Sequence, residues 1–153
     1  MKLAEALLLR ADLQKKLASL QERINRNVLV QEGERPSEDP VDLLTQAAAV
    51  AAQLQGLVYG INRTNISGKT GRNRSLTEAL AERDILALRH SIVQGAAQSA
   101  AKPPERYGVK EIRWVKVVDV AKLQGEADEL AQAIREINAE IQAANWELEI
   151  TEP

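Results

Sequence analysis

Apolar residues recur alternately three and four positions apart in four stretches of the chain, and this spacing predicts four amphipathic α-helices. The clearest stretch lies near the C-terminus, where one stripe holds Leu123, Ala127, Leu130, Ile134, Ile137, Ile141 and Ala144. Because a long helix cannot bury its own apolar seam, the pattern predicts contact with partner helices. The candidate residues for an oligomer seam are Leu123, Leu130, Ile134, Ile137 and Ile141.

Capping signals mark where three of these helices begin. Asp39 suits an N-cap and Pro40 a first helical position. Ser75 opens an S-x-x-E capping box, and Asp119 is positioned to cap the last helix. The apolar seams together with these signals predict a first helix over residues 2–27 and a second over residues 40 to about 65.

Three short segments are rich in β-branched or alternating apolar residues, which is typical of strands. They lie around Val28, Trp114 and Trp146. If they pair, they form a small sheet at the ends of the helices, with Trp114 opposite Trp146. The last segment has two interpretations, because Leu148 also continues the seam of the fourth helix.

Together these elements predict a mainly α fold of four long helices, packed as antiparallel coiled-coil-like hairpins with a small accessory β element. The 153 residues fit a single helical domain spanning 1–153. The core is unusual in lacking Phe, with only two Trp and two Tyr. Its abundant Ala side chains are small, which favours close helix approach and a slender bundle.

Composition and charge narrow the function classes. The chain has no Cys, which excludes disulfides and thiol chemistry. Arg10 and Asp12 interrupt the N-terminal apolar run too early for a signal peptide, so a cytoplasmic location is predicted. Residues 63–122 carry 12 basic and 6 acidic side chains, whereas residues 123–153 carry 1 and 8. This asymmetry indicates either a basic segment beside an acidic helix or a basic surface for nucleic acid or anionic lipid.

Two basic clusters are candidates for anion or nucleic-acid binding. The first joins the predicted end of the second helix to the loop after it and contains Asn62, Arg63, Asn65, Lys69, Arg72 and Arg74. The sequence favours a helix C-cap over a binding site here, since Asn tolerates the left-handed conformation and no P-loop spacing is present. The second cluster, in residues 106–122, interleaves basic residues with Tyr107 and Trp114. Pairing of Trp114 with Trp146 in the predicted sheet explains the same residues without a ligand.

No motif places catalytic chemistry in this chain. His90 is the only histidine, and no Ser or carboxylate is set beside it by a recognisable motif. The Glu-x-x-His pairs that a carboxylate metal centre in a helical bundle requires are absent from the sequence. We therefore predict no catalytic residue, no metal, no cofactor and no small-molecule substrate.

The second helix contains 20 successive uncharged residues, from Leu43 to Asn62. This length could span a bilayer, but its Gln, Thr and Asn side chains make stable insertion unfavourable. The sequence favours a central, heavily buried helix. A membrane-active state that releases this helix is a minor alternative.

Several motifs occur in order along nearly the whole chain: Ile24–Asn27, Gln31–Glu34, Glu38–Pro40, Ile61–Asn65, Leu76–Asp84, Glu111–Ile112 and Asn145–Trp146. In these motifs the chain resembles a septicolysin-like family of short bacterial proteins. The resemblance implies a mainly helical fold without an established enzymatic activity, and the family's name suggests a cytolysin.

The sequence thus predicts a non-catalytic, self-associating helical protein with a structural or interaction role, most simply a homo-oligomer. The alternative from another class is a nucleic-acid-binding module that uses residues 63–74 and 106–122. A membrane-active, cytolysin-like protein is the minor alternative.

Overall fold

The computed structural model describes residues 1–101 and 113–150, which form four α-helices. These are α1 (Leu3–Asn27), α2 (Pro40–Ser67), α3 (Leu76–Ala101) and α4 (Val120–Glu147). The mainly α class and the four helices are confirmed. The predicted starts also hold, because the signals that set them are local ones.

The predicted N-caps of α2 and α4 form as expected. The Asp39 carboxylate accepts a hydrogen bond from the Val41 N–H at 2.9 Å, with Pro40 in the first turn. Similarly, the Asp119 carboxylate accepts from the Lys122 N–H at 3.2 Å. Each carboxylate satisfies one of the orphan N–H groups at its helix start.

The predicted accessory β element is wrong for the described residues, which contain no strand. Val28 instead donates its N–H to the Ile24 carbonyl, which prolongs the last turn of α1. Residues 113–118 are irregular, with Trp114 77% and Val117 93% exposed. The part of the predicted nucleic-acid cluster at 106–112 lies outside the described residues. A β-branched run becomes a strand only beside a partner strand, and residues 1–101 and 113–150 contain none.

The chain from Trp146 to Ile150 combines the two predicted interpretations. Trp146 belongs to α4, and the Leu148 N–H still reaches the Ala144 carbonyl at 2.9 Å. Beyond this point the backbone is extended and meets the start of α1. The Leu148 carbonyl accepts from the Leu3 N–H at 2.9 Å, and the Ile150 N–H donates to the Met1 carbonyl at 3.0 Å. The result is an isolated antiparallel bridge between Lys2 and Glu149, not a sheet.

The contacts divide the chain into two compact units: Met1–Leu76 with Gln142–Pro153, and Thr77–Ile141. In the first unit, α1 and α2 pack against each other as an antiparallel hairpin. At one end, Asn27 of α1 accepts from the Glu38 N–H just before α2. At the other end, Leu148 bonds to Leu3 and lies against Gly68, which follows α2.

Only one stripe of α2 is buried, so the prediction of a heavily buried central helix is wrong. The stripe lies on the α1 side of the hairpin and consists of Leu43, Val50, Leu57, Gly60, Ile61 and Thr64. A second uncharged stripe is left exposed, including Leu44 at 53%, Tyr59 at 56% and Ile66 at 69%. Packing against α1 covers a single face of α2, which is why apolar composition alone overstated the burial.

Candidate functional surfaces

Helix α3 carries two stripes of residues at helical spacing. The inner stripe is buried or half-buried and consists of Ala79, Arg83, Leu86, His90, Val93, Ala97 and Ala100. The outer stripe consists of Ala81, Ile85, Leu88 and Ile92, in steps of four, three and four. Ile85 and Leu88 are each 57% exposed and Ile92 is 63% exposed.

The outer stripe of α3 is apolar although it faces solvent, and the inner stripe, although mostly apolar, includes two polar side chains. The inner stripe includes a guanidinium and an imidazole, Arg83 and His90, while the outer stripe presents three large aliphatic side chains. A surface helix normally turns its apolar stripe inward and its charged residues outward. An exposed aliphatic row of this kind is typical of a surface that binds another protein.

The predicted oligomer seam on α4 is largely covered within the chain. Leu130, Ile137 and Ile141 are 6%, 2% and 4% exposed, and Leu123 and Ile134 are half-buried. These side chains pack inside one copy of the protein, so little of their surface is left for a second copy. The sequence-based prediction did not single out the outer residues of α3, Ile85, Leu88 and Ile92, as a separate row. The signal that separates them is the presence of two offset stripes on one helix.

The loop between α2 and α3 is a tight, internally bonded turn. The Thr70 N–H donates to the Arg74 carbonyl at 2.8 Å, and the Asn73 N–H donates to the Thr70 carbonyl at 2.8 Å. Asn73 adopts a φ of 59°, which Asn tolerates better than most residues. Thr70 is buried, Lys69 and Arg72 are exposed, and Arg74 is half-buried. This part of the predicted anion site is therefore an ordered surface turn.

The other predicted contacts of that site lie inside α2, because the helix continues to Ser67. Asn62 and Arg63 are exposed and Asn65 is half-buried. The favoured prediction of a C-cap at Asn62–Asn65 is therefore wrong. The cap is Gly68, whose N–H donates to the Thr64 carbonyl at 2.7 Å.

The connector between α1 and α2 is fixed by a polar cluster. Arg23 donates from Nε to the Glu38 carboxylate at 2.9 Å and from its second nitrogen to the other oxygen. Asn27, 8% exposed, donates to the Arg23 carbonyl and accepts from the Glu38 N–H. The hydrogen bond from Arg23 lowers the pKa of Glu38; partial burial opposes this effect and the charge of Arg23 adds to it.

A second ion pair lies where the first and last described residues meet. Lys2 Nζ is 3.2 Å from Oε1 of Glu149 and 3.1 Å from the Glu147 carbonyl oxygen. The hydrogen bond from Lys2, followed by its charge and that of the N-terminus, lowers the pKa of Glu149. Both clusters position backbone segments, which is a structural use of charge.

Within the described residues, no three His, Asp or Glu side chains are grouped as metal ligands. His90 lies half-buried on the inner stripe of α3. Among the described helices, α2 is long and apolar enough to cross a membrane by length and composition alone, with 17% of its most apolar 18-residue window buried.

Comparison with known proteins gives a family without an assigned activity. Residues 10–150 match the profile of DUF6847, a family of unknown function. The chain is also similar to a functionally unknown conserved protein from Corynebacterium diphtheriae, known from a crystal structure. The two chains are 31% identical, the match covers 99% of each, and the TM-score is 0.89. No curated protein matches the chain. These matches include no septicolysin, so that resemblance remains a prediction.

Proposed function

For this chain, which belongs to DUF6847, a family of unknown function, we propose from its exposed residues a non-catalytic helical protein that acts by self-association. One observation carries the proposal. Helix α3 exposes Ile85, Leu88 and Ile92 while its inner stripe carries Arg83 and His90. Covering this row with an equivalent surface removes apolar area from water without requiring any ligand.

The energy available is modest. Covering the exposed half of one such side chain contributes about 1 kcal/mol. Loss of translational and rotational freedom opposes association and cancels much of that gain. We therefore expect an oligomer whose population depends on protein concentration, and one that persists at high salt because its contact is apolar.

The test is sedimentation of the purified protein over a wide concentration range. We expect a monomer at high dilution and a larger species as concentration rises. Leu88→Ser removes one side chain of the exposed row and should weaken association roughly tenfold. Leu44→Ser on α2 is the matched control, because Leu44 is 53% exposed against 57% for Leu88. A protein that stays monomeric at every concentration contradicts the proposal.

Nucleic-acid binding is the second candidate, supported by the ordered turn that presents Lys69 and Arg72. Phosphate contacts depend steeply on salt, so such binding should collapse between about 50 and 200 mM salt. An electrophoretic shift abolished by Lys69→Ala with Arg72→Ala would favour this function. Self-association should be unchanged in the same variant.

Membrane activity is the third candidate and is supported by the uncharged exposed stripe of α2. It also fits the cytolysin association of the septicolysin-like resemblance. Leakage of vesicles at micromolar protein would support it, and Ile66→Lys should then reduce leakage. Absence of leakage with both anionic and neutral lipids would exclude it.

A further inference from the structure

We propose that the partner of α3 is α3 of a second copy, aligned antiparallel, with Ile85 of each copy opposite Leu88 of the other. This inference rests on the self-association proposed above and specifies its geometry. The α3–α3 pair is symmetric, so the same row serves both copies and the contact closes on two of them.

The side chains of the outer stripe fit this arrangement by size. Two central layers place Ile85 against Leu88, and two flanking layers place Ala81 against Ile92. Each layer of the flanking pair joins a small residue to a large one, which allows helices to interdigitate at even spacing. Beyond them, Glu78 faces Gly95 at the edge of the contact. The two central and two flanking layers are therefore entirely apolar.

Charge complementarity sets the register. A heptad is lettered a to g, with apolar residues at a and d. In an antiparallel coiled coil, the residue at e of one helix lies beside a residue at e of the other. Here those residues are Glu82 and Arg89, both exposed. In the proposed alignment Glu82 of each copy lies beside Arg89 of the other, giving two opposite-charge pairs that flank the apolar layers.

Registers displaced by one heptad are unfavourable. A displacement toward the C-terminus of α3 places Arg89 beside Arg89 of the other copy. A displacement toward the N-terminus places Glu82 beside Glu82 and Asp84 beside Asp84. Like charges in these positions repel, so one antiparallel register is selected over its neighbours.

A parallel alignment is also less favourable. It would oppose Ala81 to Ala81, leaving a thin layer, and Glu78 to Glu78 within the apolar row. It would bring Arg89 of one copy beside Asp84 of the other and not beside Glu82. Antiparallel alignment additionally places opposite ends of the two helix dipoles side by side.

Charge exchange tests the register in the full chain. Glu82→Arg creates two Arg–Arg contacts and should weaken association roughly tenfold at low salt, and Arg89→Glu should do the same through Glu–Glu contacts. The double variant with both substitutions restores opposite charges and should return to wild-type affinity. A parallel pair gives another result, since Arg89→Glu alone weakens it and the double variant does not recover.

Mixing the two single variants provides the strongest readout. Each variant associates poorly with itself. Glu82→Arg carries Arg at positions 82 and 89, and Arg89→Glu carries Glu at both positions, so the two variants should form a heterodimer. Circular dichroism of each variant checks that helical content is unchanged, as expected for exposed positions. Recovery in both the double variant and the mixture supports the inference.

Spin labels measure the alignment directly, and the chain's lack of cysteine allows single-site labelling. With a label at Gln94→Cys, the antiparallel register separates the two labels by roughly 22 Å along the helices, at 1.5 Å per residue. With a label at Ala87→Cys, the two labels should lie nearly opposite each other. Equal short distances at both positions would overturn the antiparallel alignment.

The outcomes also separate this inference from the proposed function. If wild type self-associates but the double charge variant does not recover, the α3 alignment is overturned and self-association still holds. The same conclusion follows if Leu44→Ser abolishes self-association and Leu88→Ser does not. A wild-type protein that remains monomeric overturns both.

Discussion

Gly68 shows how one residue sets the spacing between elements. A Cβ built there would lie 2.6 Å from Leu148 Cδ1 and 2.8 Å from the Thr64 carbonyl oxygen. Its φ of −70° is open to any residue, so the constraint is steric rather than conformational. The Leu148 methyl could rotate away, but the Thr64 carbonyl belongs to the α2 backbone and cannot move cheaply.

We predict that Gly68→Ala lowers the free energy of unfolding by about 1–3 kcal/mol, as overpacking does elsewhere. Gly125→Ala is the control, because a Cβ at Gly125 meets nothing within 4 Å. That substitution, inside helix α4, should stabilise the protein by about 0.5–1 kcal/mol. Urea unfolding of both variants measures the contrast, and equal effects would contradict the steric argument.

The residues that could be assigned from sequence are those whose role is local. Asp39 and Asp119 cap helices through bonds to residues two or three positions away, and both were identified by position alone. Asn62, Arg63 and Asn65 were predicted to end α2, yet the helix continues because Gly68 provides a later cap. Both possible helix ends carried local signals, and these signals did not establish which of them the chain uses.

At the scale of elements, the end of α4 closes the first unit by extended pairing with the start of α1. Leu148 and Ile150 contribute two backbone hydrogen bonds, and Glu149 contributes the ion pair with Lys2. The alternating apolar pattern that predicted a strand here reflects this extended segment. It bridges a helix start and never acquires the neighbours of a sheet.

We predict that ending the chain after Glu147 lowers the free energy of unfolding by roughly 2–4 kcal/mol, from lost hydrogen bonds and lost contact of Leu148. Removal of residues 151–153 alone keeps every one of these contacts and is the control. Hydrogen exchange should show faster exchange at the Leu3 amide in the shorter chain. Unchanged protection at that amide would contradict the pairing.

The predicted strands and the predicted burial of α2 show why the elements could not all be assigned correctly from the sequence. The periodicity of α3 was identified from sequence, but the same periodicity describes a buried seam and an exposed one equally well. Which stripe faces inward depends on partners elsewhere in the chain. The segment around Trp114 has the apolar composition of a strand, but the described part of the chain provides no strand for it to pair with.

At the scale of the whole molecule, acid stability reflects the two ion pairs that fix connecting segments. The pKa values of Glu38 and Glu149 are both lowered in the folded protein. A carboxyl whose folded pKa lies below its unfolded value stabilises the fold above the unfolded pKa, which is about 4.3 for Glu. That contribution disappears as the pH falls through the folded pKa.

We therefore predict that wild type melts at a higher temperature than Glu38→Gln at pH 7 and that this difference shrinks progressively as the pH falls below the unfolded pKa of about 4.3. Glu149→Gln should behave in the same way. Thermal melts across this pH range measure the effect. A difference between wild type and Glu38→Gln that is independent of pH would show that the Arg23 contact does not act through charge.

The hydrogen bond between Met1 and Ile150 brings the two ends of the described chain side by side. A short peptide joining them would turn the polypeptide into a ring with little distortion. Such a ring can be reopened in the connector between Gln31 and Pro36, which contains no helical residue. The permuted protein would present its helices in the order α2, α3, α4 and α1 while retaining the same hairpin of α1 and α2.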